Sequence, residues 1–396
     1  MNRFHRFRNA SEGEWRDWKW QMRNRLTTNI EDFFPGLSVK EKHEFREYIG
    51  KFKFAITPYT LSLVALDDEG NPLKDDPVWN QIRYLSLDEF TGPSEYDGVH
   101  ENWEATCEMP TGLLQHKYPD RAILRVVDTC FSHCNYCYLA RRVLDKQQDQ
   151  THRSSWEQEW QNSLEYIKSR QEIRDVLISG GDPLILDNER IERILSDLRS
   201  IPGIRTLRLN TRVLTYNPFR IDAELAQIFK KYNLTVLEIH AGHPNEITEE
   251  FDVGLRLFDE AGHRPMILWR SPLLNGINDN EAILEELFFK LYERRILPYY
   301  LFHYAPYSLG RTTCGLSVRK GSRMLSRLRR SVPGPAFPRY TLFHLEGKQD
   351  IPLDLEGTHN FRYKTYKDGN PCIVFKNWKD KWVSYPDIKD KSFPAE

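Results

Sequence analysis

The chain reads as an α/β protein with a parallel sheet, of the kind that curls into a partial (β/α)6 barrel. Three observations predict this. Six short apolar strand-like runs follow one another from Arg121 onward, each succeeded by a longer helix-like stretch. Buried strands alternating with helices imply right-handed crossovers and parallel neighbours. The chemically distinctive residues also sit at the ends of these runs, where parallel α/β folds place their sites. An open doubly wound sheet fits the same alternation.

Taken in order, residues 1–115 form a helical and irregular N-terminal region. WRDWKWQMRNRL (Trp15–Leu26) is its clearest amphipathic piece, and Asp67–Gln115 is rich in turn formers. Residues 116–335 carry the barrel. AILRVV (Ala122–Val127) precedes a helix at Trp156–Arg170, and DVLISGG (Asp175–Gly181) precedes one at Asn188–Arg199. TLRLN (Thr206–Asn210) leads to Ala223–Lys231, and TVLEIH (Thr235–His240) to Thr248–Ala261. MILWRS (Met266–Ser271) leads to Glu281–Glu293, and PYYLFH (Pro298–His303) to Lys320–Arg330. Residues 336–396 form a less regular segment of strands and turns.

Composition sets limits. With 396 residues, 40% hydrophobic and 29% charged, the chain has ordinary globular proportions. A net charge of −1 gives no reason to expect nucleic acid or an anionic membrane. No apolar run approaches a membrane span, and MNRFHRFRNASEGEW lacks a signal-peptide core. Six cysteines, three of them bunched, suit a reducing compartment and a cofactor better than a disulfide framework. A cytoplasmic location is expected.

The bunch is TCFSHCNYCY, with Cys130, Cys134 and Cys137 in a C-x3-C-x2-C spacing just after the first strand. Structural zinc wants four ligands, and His133 is an awkward fourth. A redox dithiol needs only Cys134 and Cys137. Three thiolates on an iron–sulfur cluster use all three cysteines and leave one iron open. A non-enzymatic metal-binding protein remains the competing class.

This loop resembles that of the radical S-adenosylmethionine (SAM) superfamily. The resemblance implies a [4Fe–4S] cluster whose open iron chelates SAM, and reductive cleavage to a 5′-deoxyadenosyl radical that abstracts hydrogen. It places Tyr136 against the adenine. SGGDP is similar to the superfamily's glycine-rich segment after strand two, so Ser179, Gly180, Gly181 and Asp182 are expected near the SAM amino group. Alone, a Gly-Gly pair is more often only a turn.

Longer stretches resemble the lysine 2,3-aminomutase family: WRDWKWQMRNR, ITPYTLSL, HKYPDR, RDVLISGGD, HPNEITEE, LLNGIND and YYLFHYAPYSLG. The family implies pyridoxal 5′-phosphate (PLP) held by a lysine, because an imine can pass between Cα and Cβ where an ammonium cannot. In FHLEGKQDIP the matching residue is Lys348, ordinarily a solvated side chain. Arg121 and Lys117 stand at phosphate-binding positions, where a surface ion pair with Asp120 is the plain alternative. Arg212 and His240 match positions near SAM, although a histidine ending a strand is often structural. Arg270 replaces a family glutamine there.

The departures concern substrate. Leu139 stands where lysine-type members have a carboxylate-binding arginine, and Arg141 and Arg142 are displaced from that position. The aspartates for a distal ammonium are missing, with Ala305 and Pro306 at one place and Phe343 and His344 at the other. A buried ammonium without carboxylates is costly, which disfavours lysine. Cys372 stands alone where some members have zinc cysteines, leaving homo-oligomer formation open. The expected partners are a small-molecule amino acid and an electron donor such as flavodoxin or ferredoxin. The expected activity is amino migration from Cα to Cβ; the alternative is PLP-free radical chemistry on a small molecule or peptide.

Overall fold

The structure, a computed structural model, describes residues 3–86, 88–89, 104–146, 155–305, 308–344, 347–353, 361–365, 371–377, 379 and 381–386. Its main element is a nine-stranded sheet in simple sequential order. The strands are β1 Leu114–Tyr118, β2 Arg121–Val127, β3 Asp175–Gly180, β4 Thr206–Thr211, β5 Val236–Ile239, β6 Met266–Leu273, β7 Leu297–His303, β8 Arg339–His344 and β9 Gly347–Asp350. From β2 to β8 every neighbour is parallel; β1 and β9 are antiparallel edges.

All six strand–helix units expected from the sequence are present, and β8 adds a seventh parallel strand. Each crossover helix starts on a side chain able to cap it. Ser155, Asp187, Asp222, Thr248, Asn280 and Ser317 accept from backbone N–H groups of the helices Trp156–Ser169, Asn188–Arg199, Ala223–Lys231, Glu249–Glu260, Glu281–Glu293 and Val318–Leu328. Their apolar stripes, such as Ile191, Ile194, Leu195 and Leu198, pack on one face of the sheet.

Alternation along the strands therefore separates two environments. Leu124 and Val126 on β2, Leu207 and Leu209 on β4, Leu237 and Ile239 on β5, and Leu301 on β7 join the helix-facing core. Arg208, Asn210, Glu238, His240, Arg270, Tyr300 and Phe302 occupy the opposite, inner face. The sheet curls until its edges approach: the Lys348 backbone N–H on β9 donates to the Tyr118 hydroxyl on β1 at 3.2 Å. Among the described residues no ladder joins β1 to β9, so the barrel is partial.

The N-terminal region contributes to the same core, which includes Trp15, Phe34 and Tyr59 beside barrel residues. The stretch Trp15–Leu26 is not one helix. Asp17 closes Glu12–Arg16 in an extended conformation and caps Trp18–Arg23 by accepting from the Lys19 N–H. In the C-terminal segment β8 and β9 belong to the main sheet. Phe361–Thr365, Pro371–Lys376 and Trp382–Pro386 pair as a separate antiparallel sheet.

Candidate functional site

The cysteine loop leaves β2 and is fixed largely by the N-terminal region. Arg25 donates to the Cys130 carbonyl at 3.0 Å, the His133 N–H to the Ala55 carbonyl at 2.8 Å, and the Asn135 N–H to the Gln81 carbonyl at 3.0 Å. The Thr57 N–H donates to the Ser132 hydroxyl at 3.0 Å. Leu139, at the position of the family arginine, packs with Val143 and Leu144 against Cys130 and Cys137.

All three thiols are free, partly buried and close enough to act on one another electrostatically. Burial raises Cys130 far above the ordinary thiol range, aided by Asp182 and the other two cysteines. Burial and Cys134 push Cys137 up to about 12. Thiolates buried there would need a cation to offset their charge. Among the described residues no three His, Cys, Asp or Glu side chains converge on a single-ion position.

The glycine pair is explained by close approach. Gly180 has φ +123°, and a Cβ there would lie 2.2 Å from the Val127 carbonyl oxygen. At Gly181 a Cβ would lie 2.0 Å from the Thr129 carbonyl oxygen. The end of β3 thus runs directly against the stem of the cysteine loop. Ser179 is buried beside it, in register with Arg125. The Asp182 carboxylate has a scaffolding place: it accepts from the Arg212 N–H at 2.8 Å, from the Thr211 hydroxyl at 2.7 Å and from the Leu184 N–H at 3.1 Å. Burial lifts its carboxyl to about 6 despite these bonds.

Arg212 is the hub. One guanidinium nitrogen donates to Cys134 Sγ at 3.0 Å and to the Tyr136 hydroxyl; the other donates to Gln81 Oε1 at 2.6 Å and Glu246 Oε2 at 2.8 Å. Its guanidinium carbon lies over the Tyr216 ring, 4.1 Å from the centroid, and the Tyr216 hydroxyl is 3.2 Å from Cys134 Sγ. Arg212 Nε is buried without a partner, a donor still available beside the cysteines.

Further along the inner face, Asp175, Arg208, Glu238 and Arg270 form an alternating ion chain with contacts of 2.8, 2.6 and 2.7 Å. Asn210 accepts from Arg270 at 3.1 Å and lies 3.0 Å from His240 Nε2. Burial, then Arg270 and Arg212, keep the His240 imidazole well below its usual range, hence neutral.

Lys348 reaches this face from β9. Its ammonium lies 4.8 Å from the Tyr300 ring centroid and 5.2 Å from that of Phe302. The residue keeps access to solvent, yet the protein around its ammonium lowers it to about 8, with Arg270, Arg208 and Arg121 adding repulsion and Glu238 opposing. The preceding Gly347 has φ +127° and leaves room for the Tyr118 hydroxyl. Arg121 stacks on Tyr118 at 4.5 Å and meets Asp120 only at 3.5 Å, so its guanidinium is lightly held. Lys117 is paired with Glu108 at 2.6 Å rather than with Asp120.

The substrate positions are less direct. Arg141 is exposed, and Arg142 is committed to Glu104, Asp128 and the Gly112 carbonyl. Ala305 is buried and His344 exposed. Pro306 lies outside the described residues, as does the Phe343 side chain. Sequence reasoning missed Gln81, Tyr216, Glu238, Asn210 and Asp350, which holds Arg339 at 2.6 Å. Glu246 stood unremarked inside HPNEITEE, Glu238 inside TVLEIH and Asn210 inside TLRLN.

The Radical SAM superfamily profile matches residues 124–284. L-lysine 2,3-aminomutase of Clostridium subterminale is 33% identical over 86% of this chain and 78% of its own. That of Acetoanaerobium sticklandii is 34% identical over 85% and 78%. Glutamate 2,3-aminomutase of Clostridioides difficile is 32% identical over 96% and 84%. A parallel sheet that ends in a three-cysteine loop, with similarity running through both the barrel and its N-terminal clamp, leads to one conclusion: the chain belongs to the lysine 2,3-aminomutase family of the radical SAM superfamily.

Proposed function

We propose that this protein is a SAM- and PLP-dependent radical aminomutase that moves an amino group from Cα to Cβ of an amino acid other than lysine in its usual pose. Family membership implies a [4Fe–4S] cluster, SAM and PLP. The side chains present offer donors suited to all three. Cys130, Cys134 and Cys137 would hold the cluster. The buried unpartnered Nε of Arg212, with Tyr136, His240, Arg270 and the backbone of Ser179–Asp182, would face SAM. Lys348 would carry PLP, and Arg121 is the lightly held cation suited to a phosphate.

When bound, these groups supply a carbon-centred radical and an imine through which nitrogen can shift. The chain's own part is placement and proton control. Lys348, with its amine lowered to about 8, is neutral often enough at neutral pH to attack a carbonyl. Tyr300 and Phe302 wall it with flat apolar surface. The neutral His240 can only accept or donate a hydrogen bond there and adds no charge. The ion chain from Asp175 to Arg270 spans the inner face with its charges matched in pairs, which suits a zwitterionic ligand more than a free cation.

The observation that carries the reading is Lys348 on the inner face of the barrel, against two aromatic rings. The test is anaerobic reconstitution followed by PLP uptake, read as visible absorbance, in wild type and Lys348→Ala. An amino-acid panel is then screened by mass for β-amino products. Uptake abolished by the substitution and a product from an amino acid other than lysine are expected; uptake equal in both proteins overturns the assignment. The ion pair of Lys117 with Glu108 removes one expected phosphate clamp and favours the second reading, radical SAM chemistry without PLP. In that case 5′-deoxyadenosine forms but no PLP is retained.

A further inference from the structure

We infer that Arg212 and Tyr216 are positioning residues that set the reduction potential of the cluster, by hydrogen-bonding the sulfur of Cys134. The inference rests on the assignment of Cys134 as a cluster ligand.

Cys134 Sγ has two polar side-chain neighbours, the Arg212 guanidinium at 3.0 Å and the Tyr216 hydroxyl at 3.2 Å. Both come from the segment following β4, and neither is placed by chance. Arg212 is anchored from three directions: its N–H to Asp182, and its second guanidinium nitrogen to Gln81 and Glu246. Glu246 is itself held by the Gln81 amide at 2.8 Å and by the N–H groups of Gly242 and His243 at 2.8 and 2.9 Å. Tyr216 is fully buried and stacked on the same guanidinium, so its hydroxyl has little freedom. The chain has built a preorganised donor pair around one of its three thiolates.

The consequence is electrostatic. Reducing a thiolate-ligated cluster by one electron adds negative charge that is partly felt at the sulfurs. Donors to a sulfur stabilise the reduced form and raise the potential. A charge-assisted donor in a water-poor site does this most strongly. Arg212 therefore eases the entry of the electron that SAM cleavage needs, and Tyr216 adds a weaker contribution in the same direction.

The experiment is an EPR-monitored dithionite titration, without SAM, of protein reconstituted with iron and sulfide, with iron and sulfide content measured in parallel. At a fixed applied potential, the ratio of reduced to oxidised cluster should fall roughly tenfold in Arg212→Gln, or about 59 mV for one electron. The fall should be smaller in Tyr216→Phe and largely reversed in Arg212→Lys. Tyr166→Phe, which loses a hydroxyl bonded to His116 on β1 and makes no hydrogen bond to the cysteines, should titrate like wild type. An unchanged potential in Tyr216→Phe and Arg212→Gln with full iron content overturns the inference. If Arg212→Gln fails to hold iron, Tyr216→Phe decides alone, since it removes one hydroxyl and keeps the ring. Wild-type protein that takes up no iron refutes the cluster assignment itself, a different failure.

Discussion

Replacing Arg270 with glutamine probes the electrostatics around Lys348 most directly. Lys348 is lowered from the ordinary lysine value of 10.5 to about 8, by surrounding protein first and by repulsion from Arg270 next. An amine at about 8 has roughly three hundred times more neutral form at pH 7 than one at 10.5. Removing the Arg270 charge should move the midpoint back up. Glu238→Gln should move it further down, because Glu238 is the anion that favours the ammonium. The assay is pulsed acetylation across neutral to alkaline pH, read at Lys348 by peptide mass spectrometry; it needs no cofactor, and the side chain is open enough to admit the reagent. The sign carries over to stability. The folded chain releases this proton near pH 8 and the unfolded chain only near 10.5, so the group's contribution rises with pH in that window, though water screens it. A wild-type midpoint near the ordinary lysine value, or variants that shift the same way, would refute the reasoning.

Two further outcomes follow from the stem of the cysteine loop. Gly181→Ala places a Cβ 2.0 Å from the Thr129 carbonyl oxygen, a backbone atom that cannot step aside. It should cost about 2 kcal/mol or more in urea unfolding, and a loss under about 0.5 kcal/mol would show that the two segments can separate freely. Asp182→Asn should cost about 1–3 kcal/mol, because whichever way the amide turns its NH2 would face the N–H of Arg212 or that of Leu184, each of which now donates to a carboxylate oxygen. Measured by the same unfolding, an unchanged midpoint would mean that this junction does not hold β3 to β4.

Legibility followed the range of the interactions. The crossover helices could be read because caps such as Asp187, Asp222 and Thr248 and the apolar stripes after them act over a few residues. The amphipathic stretch Trp15–Leu26 is divided by Asp17, which satisfies backbone groups better as a cap than as a helix interior residue. The strands β1 and β9 were hidden among turn-like and polar residues. Their identity comes from pairing with β2 and β8 rather than from their own pattern. Lys348 could be picked out only by resemblance, since nothing local distinguishes it from the other lysines.

The sequence by itself determined the alternation of strand and helix, the three-cysteine loop at a strand end and the glycine pair beside it, because each is a contiguous pattern whose physics is local. Only the tertiary structure decided that Gln81, Arg212 and Glu246 meet at Cys134, and that Lys348 faces Tyr300 and Phe302. Those contacts span from 34 to more than 130 residues of chain, and no short window of sequence contains both partners. They exist because a curled parallel sheet brings the ends of distant strands to one inner surface.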